Sequence, residues 1–518
     1  MAIPIIGIDL GTTYSAVATI NVADKPEIIE NTDGLKTTAS AILFEDPMKP
    51  LVGQNAIDAG LPELLAWDFK RKMGDANWSS SFADQEYSAV DLSAMVLRKL
   101  ANDASFISGK ITKAVITVPA YFEEIQRKAT KDAAELAGLE VIALINEATA
   151  AALAYAATGV ITGRVLVYDF GGGTFDASIV DIAGKYDVTV LTSEGDNDLG
   201  GRDIDRALAE HIDELCFAQH GKHIVDSSTR WDLLESPDSY ALVMEAVSLK
   251  HKLSARQQVN GVKFVTGDGD VVDVDMSRDI FEASIKSIIH QTEMAVDVCL
   301  SNKDIFASDI DYVLMVGGST RIPAVQAMLE RKFGKPPIRS INPDEAVALG
   351  AAIYAASELA KTGEVALPDF GNATFTDVAS HSHGTFVIDD SPGYRRNDKY
   401  SIITPKASPI PCKKTESFYT AHDNQTAVDV SVVQGDDDNP EFLTTLVNHE
   451  MPLPSDRPAG KEIQITFEYD KNNMVHCSVL DVESGNRQSF PSCSTAGGDT
   501  ETKVPINIDP KVFDDLEF

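Results

Sequence analysis

Val167-Tyr-Asp-Phe-Gly-Gly-Gly-Thr-Phe-Asp176 is the stretch on which the fold turns. An apolar β run carries Asp169 to its end, and three glycines and Thr174 follow at once. Backbone N–H groups close around a phosphate only where no Cβ blocks the approach, which Gly171, Gly172 and Gly173 allow. One such run alone is an ordinary turn. The same grammar recurs at Ile5-Ile-Gly-Ile-Asp-Leu-Gly-Thr-Thr-Tyr14, where Asp9 ends the strand and Gly11, Thr12, Thr13 and Tyr14 follow. Asp9 and Asp169 stand 160 positions apart, a separation that suits two related lobes gripping one nucleotide from opposite sides. Both aspartates sit at strand ends where they suit Mg²⁺ held through waters, because this ion sheds its hydration shell reluctantly.

A third glycine turn, Gly317-Gly318-Ser319, ends the apolar run Val313-Leu-Met-Val316. It suits the flat face of an adenine, with Arg321 able to lie over the base. Around these loops, strands at Ala114–Thr117, Ala177–Ile182, Val188–Ser193 and Tyr312–Val316 alternate with long helical patterns such as Ile125–Ala137, Asp203–Gln219 and Arg278–Leu300. The fold class expected for residues 1–360 is therefore α/β. Pro368-Asp-Phe-Gly371 marks a linker over 361–371. From 372 to 508 short alternating runs separated by Asp-Asn, Gly-Asp and Ser-Gly turns predict an all-β sandwich. Residues 509–518 read as a short acidic tail, too short for a helical lid.

Composition narrows the function classes. Forty-four Lys and Arg against 79 Asp and Glu give a net charge of −35, which repels phosphate backbones and argues against nucleic acid as a partner. No apolar stretch reaches the roughly 20 residues of a membrane-spanning helix, so no membrane partner is expected. Cys216, Cys299, Cys412, Cys477 and Cys493 form no Cys-x-x-Cys pair, as expected of scattered thiols in a cytoplasmic protein.

Four further stretches carry a resemblance. They are Ile116-Thr-Val-Pro-Ala-Tyr-Phe122, Ile145-Asn-Glu-Ala-Thr-Ala-Ala-Ala-Leu-Ala-Tyr155, Leu199-Gly-Gly-Arg-Asp-Ile-Asp205 and Ile341-Asn-Pro-Asp-Glu-Ala-Val-Ala348. With the phosphate loops they make the chain resemble the Hsp70 chaperones, within the actin/hexokinase/Hsp70 ATPase superfamily. The resemblance is weaker in the β region, where Ala421-His-Asp-Asn-Gln425 and Val432-Val-Gln-Gly435 carry it. It implies a two-lobed actin-like ATPase domain, a duplicated ribonuclease-H-like fold, followed by a peptide-binding sandwich. The implied cofactors are ATP or ADP with Mg²⁺, and K⁺ beside them.

The resemblance also implies roles, residue by residue. Lys70 matches the lysine that contacts the γ-phosphate and positions the attacking water. Glu147, Asp169 and Asp176 match the acidic residues around Mg²⁺ and that water, with Asp9 and Thr174 completing the catalytic set. Gly200, Gly201, Lys250, His251, Ser254, Gly317, Gly318, Ser319, Arg321 and Asp344 match the nucleoside pocket. Pro119 and Arg127 match a relay between nucleotide state and the second domain. Tyr400, Ala421, Val428 and Val430 match the cleft and arch that hold extended apolar peptides.

The chain departs from the family pattern in several places and resembles its short, divergent bacterial Hsc-type branch, the largest departure being the expected lack of a helical lid. Ala148 stands where the family has proline, and Ala143 where many members use a basic residue to dock J-domain co-chaperones. His251 and Val247 replace an arginine and an acidic residue beside the base, which predicts weaker adenosine retention and less need for an exchange factor. Pro368 interrupts the linker, so that interdomain docking is expected either to be weaker or to use Val365, Leu367 and Phe370 instead. Three readings of function follow: an Hsp70-like chaperone that couples slow ATP hydrolysis to client binding; a nucleotide-sensing scaffold with one dedicated partner; and a small-molecule kinase on the same ATPase fold. The first accounts for most of the motifs.

Overall fold

A computed structural model describes residues 5–225, 237–364, 368–389, 396–490, 506–508 and 513. Its N-terminal region is built twice over. In the first lobe the hairpin Ile5–Asp9/Tyr14–Ile20 is antiparallel, and Lys113–Val118 and then Glu140–Asn146 add in parallel beside Ile5–Asp9. In the second lobe the hairpin Gly163–Phe170/Phe175–Gly184 is antiparallel, and Tyr312–Val316 adds in parallel beside Gly163–Phe170. Each phosphate loop is thus the turn of the equivalent hairpin. Strands covered on both faces need apolar residues on both, and Val165, Leu166, Val167 and Tyr168 are all fully buried.

Two alanine-rich helices, Glu147–Ala157 and Ala346–Thr362, pack against each other between the lobes. A methyl group on Gly350 would lie 1.7 Å from the carbonyl oxygen of Ala150, so only glycine permits this crossing. The expected helix Arg278–Leu300 is in fact two, Arg278–Ser284 and Lys286–Ser301, broken at Ile285, where φ is −101° and ψ is 6°.

The C-terminal region is a sandwich of two four-stranded antiparallel sheets. One holds Arg396–Thr404, His383–Asp389, Ala427–Gln434 and Thr444–Pro452, in that order. The other holds Cys412–Tyr419, Glu462–Tyr469, Val475–Asp481 and Arg487–Phe490. Ile463, Ile465, Phe467, Val475 and Val479 fill the space between them together with Val432 and Met451.

One boundary differs from expectation. Thr374–Val378, read from sequence as the start of the sandwich, pairs in parallel with Asp187–Asp196 and extends the sheet of the second lobe. The linker therefore docks as a strand, and the sandwich begins beyond it. Phe370 is buried against Tyr186, with ring centroids 4.9 Å apart. Val365, Leu367 and Cys493 lie outside the described residues. No described helix is long and apolar enough to cross a membrane.

Candidate nucleotide site and its link to the sandwich

The two phosphate loops meet. A methyl group on Gly172 would lie 2.1 Å from Thr13 Oγ1, and one on Gly173 would lie 2.6 Å from Thr12 Oγ1. Glycines of one lobe thus seat directly on the hydroxyls of the other. The first loop is held from behind by Ser15, whose Oγ accepts the Gly11 N–H at 3.1 Å, and by Ser40, whose hydroxyl donates to the Gly11 carbonyl at 2.7 Å. The second loop is closed by the Gly171 N–H donating to the Thr174 carbonyl at 3.1 Å.

Asp9, Glu147, Asp169 and Asp176 gather beneath these loops with Lys70 among them. Lys70 Nζ lies 2.9 Å from Glu147 Oε1, and both side chains are buried. Burial, and then the charge of Glu147, push the Asp9 carboxyl up to about 7. Asp169 and Asp176 are raised well above the ordinary carboxylate range by burial first and by Glu147 next. Lys70 opposes all three shifts. Like charges held this close in a low dielectric call for a further cation. Among the described residues no three His, Cys, Asp or Glu side chains close on one point as direct ligands. The cluster suits a hydrated divalent ion bearing phosphate oxygens.

The nucleoside pocket comes together from three elements. Ser319 Oγ donates to the Gly171 carbonyl at 2.8 Å, binding the third glycine turn to the second phosphate loop. Arg321 is paired with Asp344 at 2.6 Å, and Gly318 faces the Asp344 carboxylate. Lys250 Nζ sits 2.6 Å from Asp205 and 3.3 Å from the Gly201 carbonyl. His251 is near enough to Lys250, Asp205, Arg321 and Asp344 to feel their charges. The Ser254 hydroxyl donates back to the Lys250 carbonyl of its own helix at 2.7 Å.

Pro119 and Arg127, the residues expected to form a relay, lie where the two lobes touch the sandwich. Asp176 accepts the Ala120 and Tyr121 N–H groups at 3.1 and 3.3 Å, directly after Pro119. The carbonyls of those two residues point the other way. Ser380 Oγ donates to Ala120, and His381 Nε2 lies 3.2 Å from the Tyr121 carbonyl. Arg127, buried, donates to the Ala120 and Phe122 carbonyls and to Asn146 Oδ1 at 3.0, 3.2 and 2.7 Å. Asn146 Nδ2 and Thr149 Oγ1 each donate to Asp377 of the docked linker at 2.9 Å. The Leu144 N–H donates to Asn472 of the sandwich at 3.2 Å, and the Val475 N–H donates to Glu124 at 3.0 Å.

Peptide-cleft expectations fare differently. Val430 is buried in the sandwich core and Val428 packs against it, while Ala421 is exposed. Tyr400 does not stand free as an arch residue. Its hydroxyl is within 3.1–3.3 Å of the Ser382, Val433 and Gly435 carbonyls, and its ring lies across Gly384.

Sequence reading missed a set of residues at the mouth of the cleft. Arg71 Nη2 donates to the Gly173 carbonyl at 2.9 Å and pairs with Asp203 at 2.6 Å. Arg202 pairs with Asp68 at 2.8 Å. Only the position of Arg71 beside Lys70, and of Arg202 beside Gly200-Gly201, could have drawn attention to them.

Comparison with known proteins agrees with this geometry. The family model described as Hsp70 protein matches residues 5–78 and 63–507. The chain is 36% identical over 503 residues to a chaperone protein DnaK of Thermotoga petrophila, a match covering 94% of this chain and 80% of that protein. Chaperone proteins DnaK of Thermotoga sp. strain RQ2 and of Thermotoga maritima match to the same extent.

Proposed function

The chain belongs to the Hsp70 family and is a chaperone of that type, and from that premise we propose how its own residues do the work. ATP binds between the lobes, with its phosphates under Gly11–Thr13 and Gly171–Thr174 and its base near Gly317–Arg321. Mg²⁺, when bound, would be held through waters by Asp9 and Asp169 and would supply charge neutralisation for the phosphates. Lys70 meets the terminal phosphate while Glu147 holds its ammonium in place. Asp176 and Glu147 orient the attacking water. This is catalysis by positioning and charge, with little covalent chemistry for the protein to do.

Loss of the terminal phosphate lets the lobes shift, and the Asp176–Ala120–Tyr121 contacts carry that shift to Ser380, His381 and Asp377. The sandwich then changes its hold on extended polypeptide segments, with Ala421 and Val428 at the cleft. A strand-like client gains main-chain hydrogen bonds and apolar pockets, and so broad sequence tolerance. A cytoplasmic location, K⁺ beside Mg²⁺, a J-domain partner adapted to Ala143 and an exchange factor belong to the same reading. The observation that carries it is the seating of Gly172 and Gly173 on Thr13 and Thr12.

The test is release of phosphate from Mg·ATP with no added acceptor, together with release of a fluorescent peptide on ATP addition. Lys70→Ala is expected to slow hydrolysis by about 10²–10³ while ATP affinity changes less than about tenfold. Protein that neither takes up Mg·ATP nor releases phosphate would overturn the reading.

A further inference from the structure

Asp68 and Arg202 face each other across the mouth of the nucleotide cleft. Asp68 belongs to the first lobe, between the strand Leu65–Trp67 and the short 3₁₀ turn Phe69–Lys72 that carries Lys70. Arg202 belongs to the second, in the first turn of the helix Gly201–His220, directly after Gly200-Gly201. Arg202 Nε donates to Asp68 Oδ1 at 2.8 Å, and its guanidinium lies 4.2 Å from the centre of the Trp67 ring. The Arg202 side chain is only 13% exposed. Its own backbone N–H donates to the Gly172 carbonyl at 2.8 Å. The ion pair is therefore attached to the phosphate loop directly on one side and stands two residues from Lys70 on the other.

Arg71 crosses the same gap in the opposite direction, from the first lobe to Gly173 and Asp203 of the second. Arg202 also lies 3.9 Å from Asp205, the partner of Lys250 in the nucleoside pocket. Asp68 takes the left-handed backbone conformation, with φ of +56°, and so points its carboxylate from a strained residue. Aspartate and asparagine tolerate that region better than other residues with a side chain.

We propose that the Arg202–Asp68 ion pair, stacked on Trp67, is a clasp that holds the two lobes closed over bound nucleotide and sets the rate at which ADP leaves. The clasp rests on the nucleotide site proposed above. Opening the lobes separates Arg202 from Asp68 and from the indole together, and a largely buried charge that loses its partner is costly. Because the pair stands apart from the Asp9, Glu147, Asp169 and Asp176 cluster around Lys70, it governs release more than the chemical step.

The experiment is stopped-flow release of ADP carrying a fluorescent ribose label, in Mg²⁺, from the full chain and its variants. Arg202→Ala and Asp68→Asn are each expected to speed release about tenfold. The double variant is expected to be no faster than the faster single one, because both remove one interaction. Single-turnover hydrolysis of pre-bound ATP is expected to stay within about twofold of wild type. The exchanged pair Asp68→Arg with Arg202→Asp is expected to recover slow release. Asp68→Asn keeps the backbone preference and removes only the charge, so it stands as the test even where Arg202→Ala fails to fold. Release unchanged within twofold in Asp68→Asn, or effects that multiply in the double variant, would overturn the clasp. Wild-type protein that binds no labelled ADP would instead bring down the nucleotide site, and the clasp with it.

Discussion

Asp176, beneath the two glycine loops, and His381, in the sandwich, are joined through a single residue. Tyr121 donates its N–H to the Asp176 carboxylate at 3.3 Å, and its carbonyl faces His381 Nε2 at 3.2 Å. A shift of Asp176 therefore moves the Ala120–Tyr121 peptide plane, whose Ala120 carbonyl accepts the Ser380 hydroxyl of the sandwich side. The Tyr121 ring packs against His381 as well, with centroids 4.3 Å apart.

Arg127 braces that peptide plane from below, so its removal should disconnect the domains while sparing the site. Arg127→Ala leaves the Phe122 carbonyl and Asn146 Oδ1 without the Arg127 donor and the Ala120 carbonyl with Ser380 alone, at a cost on the order of 3 kcal/mol to the docked arrangement. Acceleration of peptide release by ATP should be lost, with ATP affinity within about threefold of wild type. Peptide release that still responds fully to ATP in this variant would remove Arg127 from the relay.

Mg·ATP uptake should release protons near neutral pH. Asp9 is held at about 7 in the free protein by burial and by Glu147, so part of its population is protonated there. A dication favours the charged carboxylate, lowers its pKa and expels the proton. Affinity for Mg·ATP should therefore rise with pH through about 7 and flatten above it. Calorimetry in two buffers of different ionisation enthalpy measures the proton count, and equal heats in both would contradict the assignment. Chelating Mg²⁺ with EDTA should weaken ATP binding and abolish the proton release together.

How much of this was legible in the sequence depends on distance along the chain. Gly171–Thr174 and Gly11–Thr13 announce themselves because the chemistry of a phosphate loop is local. The duplication of lobes followed from them. Thr374–Val378 was misassigned because alternating Thr-Phe-Thr-Asp-Val suits any half-buried strand edge, and its partner Asp187–Asp196 is chosen by tertiary packing. Arg202 and Asp68 are 134 positions apart, and nothing local to either stretch pairs them. Val430 shows the reverse error. An apolar residue in a sandwich strand is core by default, and this one is. Tyr400 was misread because its hydroxyl partners are backbone carbonyls, which leave no trace in side-chain pattern.

Acid should undock the sandwich before it unfolds the lobes. Burial holds His381 at about 4 and His383 at about 3, so both are neutral at pH 7. His381 lies 3.9 Å from Asp436 and within the fields of Lys406 and Arg127, and His383 shares a hydrogen bond with Tyr469. Folded values below the ordinary 6.5 mean that docking is fully stable above that pH. Stability is then lost as the pH falls from about 6.5 through about 4. By pH 5 the loss is on the order of 2 kcal/mol per histidine. Hydrogen exchange at the Ala120–Tyr121 amides should rise over that window. The double variant His381→Gln, His383→Gln should flatten the pH dependence, and an unchanged profile would place the titration elsewhere.

Phe513 should act as an anchor for the end of the described chain. It is fully buried in the core of the first lobe, with Arg98 over its ring at 5.4 Å, and Ile508 is buried in the same cluster. Asp91, which caps the helix Ala89–Ser108 together with Ser88, also accepts the Asn507 and Ile508 N–H groups at 3.0 and 3.3 Å. Phe513→Ala removes a large buried side chain, and in a rigid core that would cost about 3–5 kcal/mol. Here the segment can instead lift away, so the loss is capped at whatever free energy holds it down. The lobe should therefore keep its cooperative melting transition. Amide exchange in Ala89–Ser108 and at Ile508 should rise at least tenfold in Phe513→Ala. Asp91→Ala should do the same and also loosen the first turn of the helix, because it removes half of a capping box. Exchange in the helix that is unaltered by Phe513→Ala would mean the segment contributes nothing to the lobe it covers.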